Sequence, residues 1–536
     1  MSSTRPSLSF FQQPKPISTK LYDAFIWAYE HSPINFSMLT GIHHPDVRRL
    51  PGNILLGRLQ HASKDDGKKL NEEINALAEA ASKDRRGMSY CSYGSTPVML
   101  ITHPTYIEQV AIYNDGNTDR YELLAPFNHI FGEKNIFGMK ISDEWRTKRN
   151  TLKQWIFEDE ALDNVTEKMQ TIIDEYFFKL ESNDGKIPSV EKFMASLAMD
   201  LFTRSILDTP PLEEKVETIS LGFGTALSCS SNLQNVALLK LNALANYFYL
   251  KTTHKLDDER LNLQSIITKN FLEPNYELLK NTSNILQKHF QDDRQHSLEN
   301  AYEDAAILLL SGHETTSRLL QFTLMHLTNH PTILEKMRKE IDKNRPLHNQ
   351  WTRDDLKKMT YLNKVLKESL RLHPPVPIFP RVVTKPFIIA DIPSCKSKQE
   401  YDQGFANRDV TKDIVISKGT ILAVSPFVTH KLADLYDDPL TFNPDRFTSD
   451  DIFISRNQDN PYAWFPFGLG RRDCPGRKIA IQEAELTLIK LIDNFDFTVS
   501  MVNEDDQPLE TYIQGTLKHK GEVSAEFKSR APKMMG

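Results

Sequence analysis

The chain has 536 residues, a net charge of −6 at pH 7, 25% charged residues and 40% hydrophobic residues. This composition is ordinary for a globular protein, and the slight acidic excess argues against a nucleic-acid partner. The four cysteines are widely separated and form no C-x-x-C pair. They favour a reducing compartment, without a disulfide framework or a structural zinc site.

The first 50 residues are interpreted as an N-terminal arm. Residues 1–20 are polar, contain three prolines and include no apolar run long enough for a signal peptide or a membrane span. The apolar segment 21–29 is short, so we expect a docked helix rather than a membrane anchor. Further along, residues 97–102 form a strand-like run, and a helical pattern follows over residues 106–112.

Residues 119–137 have an irregular pattern rich in aromatic side chains, and Phe127 is one of them. The next predicted helix is capped by Ser142 or Asp143, and it places Trp145 and Arg149 four residues apart on one face. Taken alone, this pair is also consistent with a buried tryptophan beside a surface arginine.

Two long helices, divided by a turn at residues 183–185, are predicted between residues 163 and 209. Residues 235–250 are apolar on nearly every turn and form either core or a lid over an apolar pocket. Residues 394–412 form a polar insertion, which we expect as a surface loop or an extended hairpin. The last part of the chain alternates short strand patterns with turns and ends in a tail, residues 521–536.

An apolar helix is predicted over residues 301–325, and polar residues interrupt its middle. Buried threonine tends to bond backward along a helix and to bend it. The resulting local opening can hold dioxygen and a water, with Glu314 and Thr315 relaying protons. A helix cap at these residues is the alternative, although apolar helix continues on both sides. His313 has no second ligand at a zinc-like spacing, so we expect a solvated or capping residue.

The amphipathic helix predicted over residues 361–372 carries Glu368 and Arg371 three residues apart, where they pair on one face. The prolines that follow end this helix. An E-x-x-R sequence is common, and by itself it indicates only a surface ion pair that stabilises little.

The most specific pattern is F-G-x-G-x-R-x-C-x-G at residues 467–476, which occurs by chance in about one in 10⁵ chains of this length. Its glycines permit positive φ and the close approach of a flat ligand. Cys474 precedes an apolar-periodic helix with Pro475 at the first helical position, where the helix dipole and free amides favour a thiolate. Arg472 can pair with an anionic group of the ligand. Such a thiolate suits the axial position of a haem iron, and the alternative is an inert core thiol.

Together these motifs resemble the cytochrome P450 family over about residues 53–520. The resemblance implies a mainly α fold with a small β-rich region and a single haem domain over residues 51–520. Haem b would lie between the threonine-bearing helix and the helix after Cys474, whose thiolate would bind the iron. Because the first residues contain no hydrophobic anchor, the resemblance is to the soluble, mostly bacterial members. A soluble cytoplasmic protein, with at most a peripheral membrane contact, is therefore expected.

The resemblance also implies roles for individual residues. Glu314 and Thr315 would deliver protons, although Ser311 stands where the family usually has alanine or glycine. A buried triad of Glu368, Arg371 and Arg446 would brace the cysteine loop. The implied cofactor contacts, including those to the haem propionates, are Trp145, Arg149, Arg381, Phe467, Arg472, Cys474 and Gly476. The implied substrate pocket is formed by Phe127, Ile307, Ser311, Val376, Ile378, Phe379 and Leu517.

The implied activity is insertion of one oxygen atom from O2 into an apolar organic substrate. No flavin or iron–sulfur motif is present, so electrons would come from a ferredoxin, a flavodoxin or an NAD(P)H-dependent reductase. The donor would dock near Cys474, with Lys148, Lys153, Arg471 and Lys478 as candidate contacts. Three alternatives stay open: a peroxide-driven haem-thiolate enzyme, a non-catalytic haem-binding sensor or carrier, and a scaffold without haem.

Overall fold

The structure is a computed structural model that describes residues 42–43, 48–49, 68–84, 86–93, 96–157, 159–231, 254–281, 286–289, 294–346, 350–393, 398–447, 461–502 and 510–530. The helix expected at residues 21–29 and the apolar segment 235–250 lie outside these ranges. Within the described part of the chain, no helix combines the length and apolarity needed to cross a membrane.

Helices make up most of the described structure. In chain order they are α1 Lys68–Ser82, α2 Pro104–Glu108, α3 Ala125–Phe131, α4 Asp143–Phe157, α5 Asp159–Ser182, α6 Val190–Ile206, α7 Lys215–Ser231, α8 Lys255–Ile267, α9 Tyr276–Asn281, α10 Arg294–Asn329, α11 Pro331–Asn344, α12 Arg353–Lys357, α13 Thr360–Leu372, α14 Lys398–Ala406, α15 Pro426–Thr429 and α16 Arg477–Asn494.

The strands are short and form four small sheets. In chain order they are β1 Ile42–His43, β2 Arg48–Arg49, β3 Met88–Tyr93, β4 Thr96–Ile101, β5 Thr118–Asp119, β6 Lys186–Ile187, β7 Phe379–Val383, β8 Phe387–Ile389, β9 Ile414–Ile416, β10 Ile421–Val424, β11 Phe495–Val502, β12 Thr511–Gln514, β13 Thr516–His519 and β14 Glu522–Ser529. The largest sheet has the order β2-β3-β4-β10-β7-β5.

The fold is organised around α10, whose 36 residues cross the main apolar core. Helices α6, α13 and α16 all pack against it. The six-stranded sheet has its own apolar cluster, with β10 paired parallel to β4 and antiparallel to β7. All four residues of β10 are buried, as expected for a continuous apolar run in the middle of a sheet. The expected mainly α fold with a small β-rich region is confirmed.

Three expectations about local structure were wrong. Residues 119–137 are not irregular throughout, because α3 forms within them and buries Phe127 in the core. The described part of the polar insertion forms helix α14 rather than a loop or hairpin, and buried Tyr401 stacks on Tyr113 with the ring centroids 3.9 Å apart. Residues 522–529, expected in the tail, form β14, which pairs with β11 over eight residues.

Candidate active site

The cysteine loop is held by its own backbone. The amide of Cys474 donates to the carbonyl of Phe467 at 2.8 Å, and the amide of Gly468 donates to the carbonyl of Phe465 at 3.0 Å. Gly470 has a φ of +70°, and a Cβ atom there would lie 2.3 Å from the carbonyl oxygen of Ala111. A glycine is therefore required at this position by both its backbone conformation and its neighbour.

The helix after the loop begins later than expected. Helix α16 starts at Arg477 with Gly476 as its N-cap residue, so Pro475 precedes the helix and is not its first residue. Burial raises the pKa of the Cys474 thiol, and a hydrogen bond from the Gly476 amide only partly opposes this effect. The Gly476 amide therefore favours the thiolate, as expected of the turn amides, but its effect is smaller than that of burial. A bound metal cation is what deprotonates such a thiol.

The side chains expected at the propionates converge beside this loop. Arg149 donates to the backbone oxygen of Asp473 at 2.8 Å and forms an ion pair with its carboxylate. The buried ring of Trp145 contacts two guanidinium groups, with Cζ of Arg149 at 5.4 Å and Cζ of Arg472 at 4.7 Å from its centroid. The Trp145 indole N–H donates to the carbonyl of Ile136 at 3.1 Å.

Arg381 and Arg472 reach the same region from other elements. Arg381 on β7 donates to the carbonyl of Leu469 at 2.8 Å and forms an ion pair with Asp115. Arg472 donates to the carboxylate of Asp119 at 2.9 Å. These bonds join the cysteine loop to β7 and to β5, and they join β7 to the turn before β5.

Arg120 belongs to this cluster, although the sequence pattern did not identify it. Its guanidinium Cζ lies 4.0 Å from the ring centroid of Phe137. Burial, followed by the charges of Arg472 and Arg381, lowers the pKa of Arg120 well below its ordinary value. Because a guanidinium keeps its proton in proteins, Arg120 is a buried positive charge beside two others, and Asp119 offsets it only in part. No local motif marks Arg120, since the groups that surround it come from distant segments.

The cluster has the composition of an anion site. Nε of Arg120 and Nε of Arg472 are both enclosed, and neither has a hydrogen-bond partner among the described residues. The guanidinium groups also outnumber the carboxylates that contact them: Arg120, Arg149, Arg381, Arg471 and Arg472 against Asp115, Asp119 and Asp473. Unpaired buried donors and excess positive charge fit the two propionates of a haem, and the loop thiol fits its iron.

Polar side chains lie in the middle of α10, which continues as a regular helix through this turn. The hydroxyl of Ser311 donates backward to the carbonyl of Ile307 at 2.6 Å, and that of Thr315 donates to the carbonyl of Ser311 at 3.1 Å. Ser311 is exposed and Thr315 partly exposed, whereas Ile307 is buried. The backward bonding expected for this turn is present, and the two hydroxyls are accessible within an otherwise buried helix.

Glu314 is held by groups from two elements. Its carboxylate accepts from the hydroxyl of Thr516 at 2.8 Å and lies 3.3 Å from Arg318 Nη2 and 3.7 Å from Lys518 Nζ. Burial by itself would raise the pKa of Glu314, but Arg318 and Lys518 outweigh it and lower the pKa to about 2. Glu314 is therefore an anion at neutral pH.

His313 was wrongly expected to be solvated or to cap a helix. Its side chain is 1% exposed, and its Nδ1 lies 2.7 Å from the carbonyl oxygen of Leu309. Its Nε2 is enclosed without a hydrogen-bond partner among the described residues. Burial lowers the pKa of His313, so the ring is neutral at neutral pH.

Glu368, Arg371 and Arg446 lie together in the interior. Both side chains of the Glu368–Arg371 pair are fully buried, with Arg371 Nε at 2.7 Å from Glu368 Oε2. Arg446 Nε donates to Glu368 Oε1 at 3.0 Å. Arg371 also donates to the carbonyls of His430 and Pro439 at 2.8 and 2.6 Å. The pair is therefore buried and is not a surface ion pair, and both guanidinium groups are hydrogen-bonded inside the protein.

The family model for cytochrome P450 matches residues 51–394 and 406–527. The chain belongs to the cytochrome P450 family. It is 26% identical over 465 residues to cytochrome P450 3A13 of Mus musculus, with 82% of this chain and 84% of the relative covered. It is 25% identical over 450 residues to cytochrome P450 3A28 of Bos taurus, with 79% and 80% covered. It is 26% identical over 448 residues to cytochrome P450 3A29 of Sus scrofa, with 79% of this chain and 80% of the relative covered.

Family membership establishes the reaction class. The protein is a haem-thiolate monooxygenase, and its haem iron takes a cysteine thiolate, Cys474, as axial ligand. The reported relatives are mammalian enzymes, so the expected relationship to the soluble bacterial members is not supported.

The pocket residues expected in this cytochrome P450 occupy different environments. Phe127 stacks on Phe131 within α3, with the centroids 4.2 Å apart. Phe379 lies beside the cysteine loop, because a Cβ atom on Gly468 would be 3.4 Å from its ring. Leu517 is fully buried, and its amide donates to the carbonyl of Pro375 at 2.9 Å. Two further residues, Val376 and Ile378, are partly buried in the segment that leads from α13 into β7.

The cations expected at the donor-docking face of the P450 are not equivalent. Lys148 donates to the carboxylate of Asp304 and to the carbonyl of Lys134, both at 2.6 Å, and its side chain is only 15% exposed. The structure therefore does not support Lys148 as a docking contact. Lys153 on α4 and Lys478 on α16 are exposed, and these two helices contact each other.

Proposed function

We propose that this cytochrome P450 inserts one oxygen atom from O2 into an apolar organic substrate, with Glu314 and Thr315 delivering protons. The haem, when bound through Cys474, supplies oxygen activation and O–O cleavage. The accessible Thr315 hydroxyl beside anionic Glu314, in a buried helix, is the observation that supports this assignment. A hydroxyl and a carboxylate adjacent in the chain can pass a proton from solvent toward bound oxygen.

The same proposal gives the other residues supporting roles. Arg149, Arg381 and Arg472 bind the propionates, and the ring of Trp145 packs against the guanidinium groups of Arg149 and Arg472. The Glu368–Arg371–Arg446 triad braces the segment before the cysteine loop, since Glu368 Oε1 also accepts from the amide of Asn443 at 2.8 Å. These contacts preorganise the cofactor site rather than contact substrate.

Two measurements test haem ligation and proton delivery separately. In the reduced protein under carbon monoxide, we expect a strongly red-shifted Soret band that Cys474→Ala abolishes. Thr315→Ala should keep this band but form less product per NAD(P)H consumed. Thr225→Ala is a matched control, because Thr225 also donates backward along its helix at 3.0 Å but lies on α7. Unchanged coupling in Thr315→Ala, with turnover by peroxide alone, would instead favour the peroxide-driven alternative.

Electrons are proposed to come from a separate ferredoxin, flavodoxin or NAD(P)H-dependent reductase that docks near Cys474. Lys153 and Lys478 support this part of the proposal because both residues are exposed and lie on α4 and α16, two helices that contact each other. Lys153→Glu or Lys478→Glu should raise the KM for the donor. Added salt should reduce the difference in KM between each variant and wild type. Lys339→Glu on α11, whose side chain is 75% exposed, serves as control. An equal effect of all three variants would contradict the docking site.

A cytoplasmic location is also proposed. The three described cysteines, Cys91, Cys229 and Cys474, form no disulfide with one another, which is the usual condition in a reducing compartment. Fractionation of cells that express the whole chain tests this location. Recovery of the protein in the membrane fraction after a high-salt wash would contradict it.

A further inference from the structure

The carboxylate of Asp115 is divided between two arginines. Its Oδ1 forms an ion pair with Arg381, and its Oδ2 accepts from Arg471 Nε at 2.7 Å and from the Arg471 amide at 3.0 Å. The side chains of Asp115 and Arg381 are 7% and 8% exposed, whereas that of Arg471 is 37% exposed. One carboxylate thus joins a buried guanidinium on β7 to a guanidinium at the surface of the cysteine loop.

The local backbone holds Asp115 in this position. Asp115 begins a 3₁₀ turn over Asp115–Asn117, and its carbonyl accepts from Arg471 Nη2. A Cβ atom on Gly470 would lie 3.3 Å from both Cγ and Oδ2 of Asp115, so the loop backbone approaches the carboxylate closely. Arg381 completes the connection by donating to the carbonyl of Leu469. The three segments form a closed set of contacts around one negative charge.

We infer that Asp115 is a positioning residue for the haem, and that the Asp115–Arg471 pair sets the reduction potential of its iron. The inference rests on the proposed role of Arg381 at a propionate. Reduction adds one negative charge to the iron centre, so a nearby carboxylate opposes it and a nearby guanidinium favours it. Because Asp115 is buried, solvent ions screen its charge weakly, whereas half-exposed Arg471 is screened more.

The test is a spectroscopic redox titration of the holoenzyme and four variants. Asp115→Asn keeps the shape of the side chain but removes its charge, so the ferrous-to-ferric ratio at a fixed potential should rise on the order of tenfold. Arg471→Gln should move the ratio in the opposite direction, and salt should diminish its effect. The double variant should lie between the two. Asp200→Asn, a buried carboxylate on α6 that accepts from Tyr176, should leave the ratio unchanged.

The outcomes separate this inference from the proposed function. If wild type shows haem–thiolate ligation and both single variants keep the wild-type potential, the inference is overturned. A shift of the same sign in Asp115→Asn and Arg471→Gln would also overturn it. If Asp115→Asn loses haem, Arg471→Gln still decides the question, because its altered side chain lies partly in solvent. Absence of haem from the wild-type protein would contradict the proposed function instead.

Discussion

The ring of Phe202 on α6 lies directly against Gly312 on α10. A Cβ atom on Gly312 would be 2.5 Å from Cγ of Phe202, closer than any side chain tolerates. Glycine in this turn therefore permits a close contact between two helices. The contact fixes how closely α6 approaches the polar turn.

Replacing Gly312 by alanine is expected to destabilise the protein. Overpacking of a filled core costs about 1–3 kcal/mol, which outweighs the gain of about 1 kcal/mol in helix propensity. Urea unfolding followed by circular dichroism measures the difference. Gly224→Ala on α7 is the matched control, because no atom lies within 4 Å of its Cβ position and the substitution should stabilise slightly. Equal effects of the two alanines would contradict the close contact.

Removing the charge of Glu368 should be far more damaging than removing a surface charge. Glu368→Gln leaves Arg371 and Arg446 buried without their carboxylate, which costs about 3–5 kcal/mol of unfolding free energy. Loss of haem incorporation is expected together with this loss of stability. Lys357→Ala breaks a surface ion pair, because the side chains of Lys357 and Asp354 are 72% and 82% exposed. This variant should lower the unfolding free energy by less than about 1 kcal/mol. Similar midpoints for the two variants would contradict a buried triad.

Neutralising Arg318 should shift the acid limb of the catalytic pH profile upward. Arg318 is the leading opposite charge that holds the pKa of Glu314 at about 2, so Arg318→Gln raises that pKa toward its ordinary value. Product formed per NAD(P)H, measured from pH 5 to 8, should then fall at a higher pH than in wild type.

The stability that Glu314 contributes is present above pH 4.5 and is lost as the pH falls toward 2.

The other groups that face Glu314 are His313, Lys518, Thr516 and, through Arg318, Glu191. Lys520→Gln is a suitable control, since Lys520 pairs with Glu510 outside this network. An acid limb that stays in place in Arg318→Gln would argue against Glu314 as the titrating group.

His326 should make the protein lose stability on mild acidification. Burial, with the nearby charges of His330, Arg371 and Lys431, lowers the pKa of His326 to about 3. Its Nε2 lies 2.9 Å from Nδ1 of His373, whose pKa burial also lowers. The unfolded chain takes up protons below about pH 6.5 and the folded chain does not, so stability is full above pH 6.5 and falls below it.

The expected slope is about 1.4 kcal/mol per pH unit for each such histidine. Urea unfolding at pH 7, 6 and 5 should show a shallower slope in His326→Asn than in wild type. His129→Asn is the control, because the side chain of His129 is 43% exposed. A wild-type slope in His326→Asn would show that other groups cause the acid sensitivity.

Local patterns predicted several elements closely. The helix expected over residues 361–372 is Thr360–Leu372, because its apolar periodicity is strong and prolines follow it directly. The strand expected over residues 97–102 is Thr96–Ile101. The polar insertion was harder, since the amphipathic character of α14 becomes evident only when Tyr401 stacks on Tyr113. Tyr113 lies almost 300 residues before Tyr401 in the chain. The next residue, Asn114, also contacts Tyr401, and these two residues are 287 positions apart.

The sequence alone determined the reaction class. The cysteine loop, the Glu314–Thr315 pair and the E-x-x-R helix are each defined by residues within one turn or one helix, where spacing is fixed by local geometry. Tertiary structure decided which charges meet. Asp115 and Arg471 are 356 residues apart, and Arg120 joins the arginine cluster only because distant segments enclose it. Burial and charge compensation depend on which elements pack together, and no local spacing records that packing.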